Sequence, residues 1–513
     1  MKKFSRRDFI KLGWGLVQTT VAAGIVSSSA LTAAGKAASK PNIVVLICDA
    51  MSAHNLSLYG YPRKTTPNLE KLAERAFVYR NHYANGNYTT PGTSSLLTGL
   101  KPWTHRAINH GATVKRKFSQ HNIFHFLGNE YFKLAYTQNY WVKYLLDQFS
   151  KDINSLLPFG EFGLVEGSAA NFNLKNDLPI LHRAIERMIY YGNSLLLSFL
   201  SNLYYTPKTT QEQIENHPVG FPTSGIYHNE FTLEDLFNGI KKTIVDLDKR
   251  PSPFFTYFHI FPPHQPYKPH KNFYGMFDND GYKPVVKKDH PLSFGISQNS
   301  QMNGLNIYDA FIANLDMEIG RLLDSLQEQG IMDHTYFVIA SDHGEIFERG
   351  MKGHGSPLMY GPLIRTPLLI LPPGNQARRD FTTLTNNIDI LPTLLHIAGQ
   401  PIPESCEGTL LPGLGGIEDE QRSVFVMDAV ESSAHRPFTK ASYAMIKGRY
   451  KLIHYQGYAH KYYDYDELYD FEEDVEEMQN KFSRSAFKTL ATEMKKELLD
   501  AIQQANEKLM QDT

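Results

Sequence analysis

The sequence predicts an α/β fold, in which a central, mostly parallel sheet is flanked by helices and followed by a small C-terminal α+β subdomain. Three observations predict it. Apolar runs of strand length recur without the in–out alternation of a half-exposed strand, which marks strands buried on both faces. These runs alternate with segments of helical periodicity, the pattern that builds a parallel sheet through crossover helices. Acids and histidines stand directly after several runs, at the carboxyl edge where open α/β sheets bind ligands.

The elements follow in order. Pro41-Asn42-Ile43-Val44-Val45-Leu46-Ile47-Cys48, closed by Asp49, is the first buried strand. Thr66 and Pro67 open a helix as its cap and first residue. The run from Thr89 to Gly99 (TTPGTSSLLTG) is another helix, with Thr90 as cap, Pro91 at its first position and Gly99 just past its end. Thr89 then stands immediately ahead of that helix. Phe254 to Ile260 is a buried strand, Ile307 to Gly330 a long amphipathic helix, Thr335 to Ala340 and Pro367 to Leu371 further strands, and Ile388 to Ile397 a helix. Beyond Glu418, residues 423–427, 442–446 and 450–454 are short strands, and Arg484 to Gln511 an amphipathic helix.

Residues from about 145 to 230 break this rhythm. They are rich in Leu, Tyr and Phe, and Ile185 to Tyr205 carries apolar residues at helical spacing. Arg187, Asn193, Ser198 and Asn202 interrupt that stretch too often for a membrane span. A helical insertion packed on the core is expected here. A rim making peripheral contact with a membrane or a lipid substrate is the second reading.

The first forty residues are a targeting segment. Lys2, Lys3, Arg6 and Arg7 precede an apolar, small-residue stretch from about Leu12 to Ala34. The run Ser5-Arg6-Arg7-Asp8-Phe9-Ile10-Lys11 resembles a twin-arginine export signal, and Ala33, Gly35 and Ala37 suit cleavage. The expected organisation is therefore a signal over 1–38, a catalytic domain over 39–415 that carries the insertion, and a C-terminal subdomain over 416–513. The twin-arginine machinery is the expected export partner, and the periplasm or another extracytoplasmic compartment the expected location.

Composition excludes several functions. Lys plus Arg is 52 and Asp plus Glu is 53, a net charge of −1, without the basic footprint of a nucleic-acid binder. Two cysteines exclude a disulfide scaffold and a Cys-rich zinc module. Aromatics at 12% supply a core that a disordered chain lacks.

The chemistry gathers at predicted strand ends. Asp49 ends the first strand, and Asp342-His343-Gly344-Glu345 follows the strand 335–340. His259 and His264 flank Phe261-Pro262-Pro263, and His354 lies in Lys352-Gly353-His354-Gly355. Asp and His together suit a divalent cation such as zinc or manganese. Thr89, ahead of a helix N-terminus that favours anions, is a hydroxyl that a metal can activate.

These residues carry a resemblance. The opening PNIVVLICDA, then LYGYPRKTTPNLEKLA, TTPGTSSLLTG, HIFPPHQPY, YDAFIANLDMEIGRLLDSL, SDHGE, KGHG, RTPLLILPPG, YAMIKGRYKLI and ELYDFEEDVEEMQN occur in the order and spacing of the sulfatase branch of the alkaline phosphatase superfamily. The chain resembles that branch from Pro41 to about Asn480. The resemblance implies an alkaline-phosphatase-like sandwich. It also implies a metal-dependent ester hydrolase or group transferase.

The departures redirect the chemistry. The family signature Cys-x-Pro-Ser-Arg, whose Cys becomes formylglycine, reads here Thr89-Thr90-Pro91-Gly92-Thr93. The second acid of the usual Asp-Asp pair is Ala50. Threonine is no formylglycine precursor, and a threonine ester lacks the geminal hydroxyl that expels sulfate. Thr at this position is similar to the nucleophile of phosphodiesterases and of phosphoethanolamine and phosphoglycerol transferases. The resemblance assigns Asp49, Asp342, His343 and Thr89 to one divalent metal ion (Mn, Zn, Ca or Mg), with no formylglycine. It assigns Thr89 as nucleophile and places His264, His354 and Lys352 at the anion or leaving group. Arg365 matches a recurrent position and is expected in a structural ion pair. The Asp-x-x-x-His pair of a second metal is missing around His259 and His264.

Three functions remain open. The first is an exported phosphodiesterase or phosphoryl-group transferase, acting on a small-molecule, lipid or glycan ester. The second is a sulfuric ester hydrolase with an unconverted nucleophile. The third is an inactive, metal-stabilised binding protein.

Overall fold

A computed structural model describes residues 40–164, 212–213, 215–224, 229–374, 376–458 and 465–511. The export signal expected over 1–38 and the apolar stretch Ile185 to Tyr205 lie outside the described residues, so the 145–230 insertion is seen only at its flanks.

The central sheet contains β1 (Asn42–Cys48), β2 (Phe77–Tyr79), β3 (Phe132–Thr137), β4 (Ser155–Leu156), β5 (Phe254–Ile260), β6 (Thr335–Ala340), β7 (Leu368–Leu371) and β8 (Arg379–Phe381). Their order across the sheet is β8-β2-β7-β6-β1-β5-β3-β4. β6, β1, β5, β3 and β4 run parallel, and β7 is antiparallel to both β6 and β2. The runs at 254–260 and 335–340 form strands with the expected bounds. β3 and its short neighbour β4 have no clean apolar run in the sequence.

Alternation along each strand feeds two cores. Val44, Leu46, Phe258, Phe337 and Ile339 face one side. They meet α1 (Pro67–Ala73), α4 (Leu233–Asp248) and α5 (Gln298–Glu328) through residues such as Leu69, Ile240 and Leu315. Ile43, Val45, Phe255, Tyr257 and Val338 face the other, against Leu97 of α2 (Thr89–Thr98), Leu146 of α3 (Tyr140–Gln148) and Leu394 of α6 (Ile390–Ile397). Each fully buried aliphatic of this kind contributes roughly 1.5–3 kcal/mol of transfer free energy.

α5 begins nine residues earlier than its apolar pattern, because Ser297 caps it by accepting from the Ser300 N–H. α2 also starts early. Its cap is Tyr88, with extended backbone, and Thr89 is its first helical residue rather than the residue ahead of it. Gly99 closes it at φ +66°, as expected of a left-handed C-terminal residue.

The C-terminal sheet is antiparallel and one strand larger than the sequence suggested. It runs β9 (Ser423–Asp428), β10 (Ala441–Lys447), β11 (Tyr450–Gln456) and β12 (Tyr465–Asp470). The helix α7 (Lys488–Gln511) packs on it through Ala491, Met494, Leu498 and Ile502. Among the described residues no helix is long and apolar enough to cross a membrane.

Candidate active site

Parallel registry brings the site together. Ile47 lies beside both His259 and Ala340, and Thr137 beside His259, so β3, β5, β1 and β6 end at one level. Asp49, His259, Asp342 and, past β3, Asn139 all follow from that level. Each is buried.

Asp49, Asp342 and His343 place ligand atoms within 4.8 Å of one another. His343 Nε2 lies 3.3 Å from Asp49 Oδ1 and 3.8 Å from Asp342 Oδ2. Burial opposes a charge on His343, but Asp342 and Asp49 outweigh it and lift the imidazole to about 9. Burial likewise opposes ionisation of Asp49, and His264, His259 and His343 overcome it and hold the carboxyl well below its usual range. Asp342 moves the other way, raised by burial and by the neighbouring Asp49 charge.

The set fits a divalent cation. Two buried carboxylates face one small space, Asp49 Oδ1 has no hydrogen-bond partner, and the local field favours positive charge. Among the described residues this is the one such cluster. The substitution of Ala50 for the family's second acid leaves a backbone role. Ala50 adopts φ +60°, and its N–H donates to Asp342 Oδ1 at 3.3 Å.

Thr89 stands over this cluster. Its Oγ1 lies 3.3 Å from His343 Nε2 and 3.3 Å from Asn139 Nδ2. α2 approaches Asp342 closely through Gly92, where a Cβ would fall 2.2 Å from the Asp342 carbonyl oxygen. Thr93, at the family's Arg position, donates to Asp342 Oδ2 at 3.4 Å.

Three residues join the site beyond those assigned a metal or catalytic role. Asn139 caps α3 and donates to Asp49 Oδ2 at 2.5 Å. His259, expected only near the cluster, lies 3.1 Å from Asp49 Oδ2 through Nε2, and its Nδ1 lies 3.0 Å from the Tyr257 hydroxyl. A tyrosine hydroxyl donating to Nδ1 leaves Nε2–H to donate to the carboxylate. Glu345 is fully buried and accepts from His354 Nδ1 at 2.7 Å and from the Tyr267 hydroxyl at 2.9 Å. A Glu within SDHGE was visible in the sequence, but nothing there tied it to His354.

His264 and His354 meet with ring centroids 4.6 Å apart, and His354 lies 4.5 Å from His343. His264 packs on Phe261 at 4.2 Å, and its Nδ1 donates to the Gln265 carbonyl. Burial pushes His264 down to about 4, against the opposing charge of Asp49. A cleft of about 440 Å³ opens over Thr89, Asn139, His264 and His354.

Two expectations meet a different arrangement. Lys352 is exposed, and its stem runs against Gly304 of α5, where a Cβ would touch Lys352 Cε at 2.7 Å; it does not line the cleft. A long, flexible side chain on a Gly-rich turn follows the nearest apolar surface. Arg365 is held by the Arg80 carbonyl at 3.1 and 2.7 Å rather than by a carboxylate.

Comparison with known proteins agrees with this construction. The family model "Sulfatase" matches residues 41–400, and "N-sulphoglucosamine sulphohydrolase, C-terminal" matches residues 354–504. An arylsulfatase of Clostridium perfringens is 23% identical over 495 residues, covering 90% of this chain and 95% of that one. An ulvan-active sulfatase of Formosa agariphila is 25% identical, covering 89% and 80%. The crystal structure of the phosphonate monoester hydrolase of Agrobacterium radiobacter superposes with a TM-score of 0.65 at 18% identity, covering 91% and 96%. The chain belongs to the sulfatase family of the alkaline phosphatase superfamily. It is a sulfatase-like ester hydrolase with a candidate divalent-metal site.

Proposed function

We propose that this chain cleaves phosphoric-acid diesters through a covalent Thr89 intermediate, passing the phosphoryl group to water or to an acceptor alcohol outside the cytoplasm. The observation that carries the reading is the placement of an ordinary hydroxyl, Thr89 Oγ1, at the metal cluster where the family carries formylglycine. A sulfated threonine has no second hydroxyl to expel sulfate, whereas a phosphorylated threonine is open to in-line attack at phosphorus.

Asp49, Asp342, His343 and Thr89 would hold the metal, which would lower the Thr89 pKa and offset charge on the transferring group. Thr89 Oγ1 forms a bond to phosphorus as the bond to the leaving alcohol breaks. The hydroxyl proton is lost to solvent, and the leaving oxygen takes one from Nε2 of His354, a residue that lines the cleft and whose Nδ1 is held by Glu345. His264 donates through Nδ1 to a carbonyl and is neutral at pH 7, so its Nε2 lone pair is free to take a proton from the attacking water or alcohol. That attack breaks the Thr89–phosphorus bond; Thr89 Oγ1 takes a proton from solvent, and the proton on His264 passes through solvent to restore His354.

Sulfate-ester hydrolysis is the second reading. It draws on the arylsulfatase and ulvan-active sulfatase relatives, and on a lining without Lys or Arg among the described residues, which suits any monoanion. The test pairs bis-nitrophenyl phosphate with nitrophenyl sulfate on the metal-loaded protein, beside Thr89→Ala. Faster, Thr89-dependent cleavage of the phosphodiester supports the proposal. Faster cleavage of the sulfate assigns a sulfatase with a hydroxyl nucleophile. Equal activity in Thr89→Ala removes Thr89 from the chemistry.

A further inference from the structure

The wall of the cleft beside Thr89 is aromatic. Tyr88, His110, Tyr140, Trp141 and Phe261 line it, and among the described residues no Asp, Glu, Lys or Arg does. His110 and Trp141 have planes within 26° at 6.3 Å, and Tyr144, 40% exposed, continues the surface outward at 29° and 6.3 Å from Trp141.

The wall is locked to the nucleophile. Gly111 sits against Trp141 at φ +68°, where a Cβ would fall 2.6 Å from Trp141 Cε3, so only glycine allows this approach. The Gly111 N–H donates to Thr90 Oγ1 at 3.3 Å, beside the nucleophile. The Asn139 side chain caps Trp141 N–H at 2.9 Å while also donating to Asp49. One short stretch of chain therefore holds both the cation cluster and the aromatic surface.

We infer that this wall is a binding site for the alcohol half of the ester, and that it selects alcohols bearing a flat ring over acyclic ones. The inference rests on attack by Thr89 in this cleft. In-line displacement places the leaving oxygen opposite Thr89 Oγ1, so the departing alcohol projects into the cleft. Among the described residues this ring-lined surface offers no carboxylate to an ammonium and no Lys or Arg to a second phosphate. It does offer broad π faces, which stack on aryl rings and on the C–H face of a pyranose. A glycerol or ethanolamine group presents no such face.

The test compares three esters of the oxyacid that the enzyme turns over: phenyl, 6-O-glucopyranosyl and hexafluoroisopropyl, the last acyclic and close to phenol in alcohol acidity. The ratio of kcat/KM for a ring ester to that for the acyclic ester is expected to fall about tenfold in Trp141→Ala, and to recover in Trp141→Phe. A fall for phenyl alone assigns an aryl occupant, and a fall for glucopyranosyl alone assigns a sugar. A ratio unmoved for both overturns the inference. Because a ratio is read within one variant, loss of folded protein does not mimic the result. Should no ester turn over, quenching of tryptophan fluorescence by phenyl β-glucoside but not by glycerol, lost in Trp141→Phe, still establishes the ring site; absence of quenching removes it.

Discussion

His259 Nε2 lies 3.1 Å from Asp49 Oδ2 while its Nδ1 faces the Tyr257 hydroxyl at 3.0 Å, so a buried tyrosine reaches the candidate metal site through an imidazole. The alternation of β5 points both side chains to the face that carries α2. His259→Ala leaves Asp49 one donor short. Metal affinity is expected to fall by about 10–100-fold, read by competition with a chromophoric chelator. Unchanged affinity would reduce His259 to packing.

Glu345 accepts from His354 Nδ1 and is not among the residues that line the cleft. Glu345→Gln keeps the shape but removes the carboxylate that orients the ring. Esters with poor leaving groups are expected to slow by about 10²-fold, and those with good leaving groups far less. A uniform loss across leaving groups would place Glu345 in structure alone.

Gly92 is the contact between α2 and Asp342. An added methyl meets backbone, which cannot rotate away. Gly92→Ala is expected to cost about 1–3 kcal/mol of stability and to weaken metal binding together with it, measured by urea unfolding with and without metal.

Asp428, outside the candidate metal set, gives a pH signature of its own. It is buried, accepts from the Val430 N–H at 3.0 Å and lies 3.5 Å from Asn87 Nδ2. Burial raises it from 3.8 to about 6. The folded chain therefore binds this proton more tightly than the unfolded chain, and the residue's contribution to stability is lost as pH rises from about 4 to about 6. Asp428→Asn keeps the bond from Val430 and removes the charge. The variant is expected to match the wild type near pH 4 and to exceed it at pH 7 by on the order of 2–3 kcal/mol, read by denaturant midpoints across that range. A constant difference would contradict the assignment.

Much of this was legible in the sequence for physical reasons. β1, β5 and β6 are buried on both faces, so their runs are continuous and their ends locate Asp49, His259 and Asp342. Lys133 in β3 and Asp466, Glu467 and Asp470 in β12 interrupt the apolar runs of those strands and blur their patterns. Asn139 was invisible as a site residue because its partner Asp49 lies 90 positions away, and Glu345, though part of the run at the strand end, carried no sign of its partner His354. Lys352 misled because proximity in sequence to His354 does not fix where a four-carbon stem lies. The start of α2 lies two residues earlier than expected because Tyr88, with extended backbone, is its cap in place of Thr90.

The most direct measurement is the mass of the peptide containing Thr89 after rapid acid quench of metal-loaded enzyme turning over methyl 4-nitrophenyl phosphate. A methylphosphoryl adduct on Thr89, absent in Thr89→Ala together with turnover, is the expected result. Unmodified Thr89 during turnover, with Thr89→Ala still active, would contradict a covalent role for this hydroxyl.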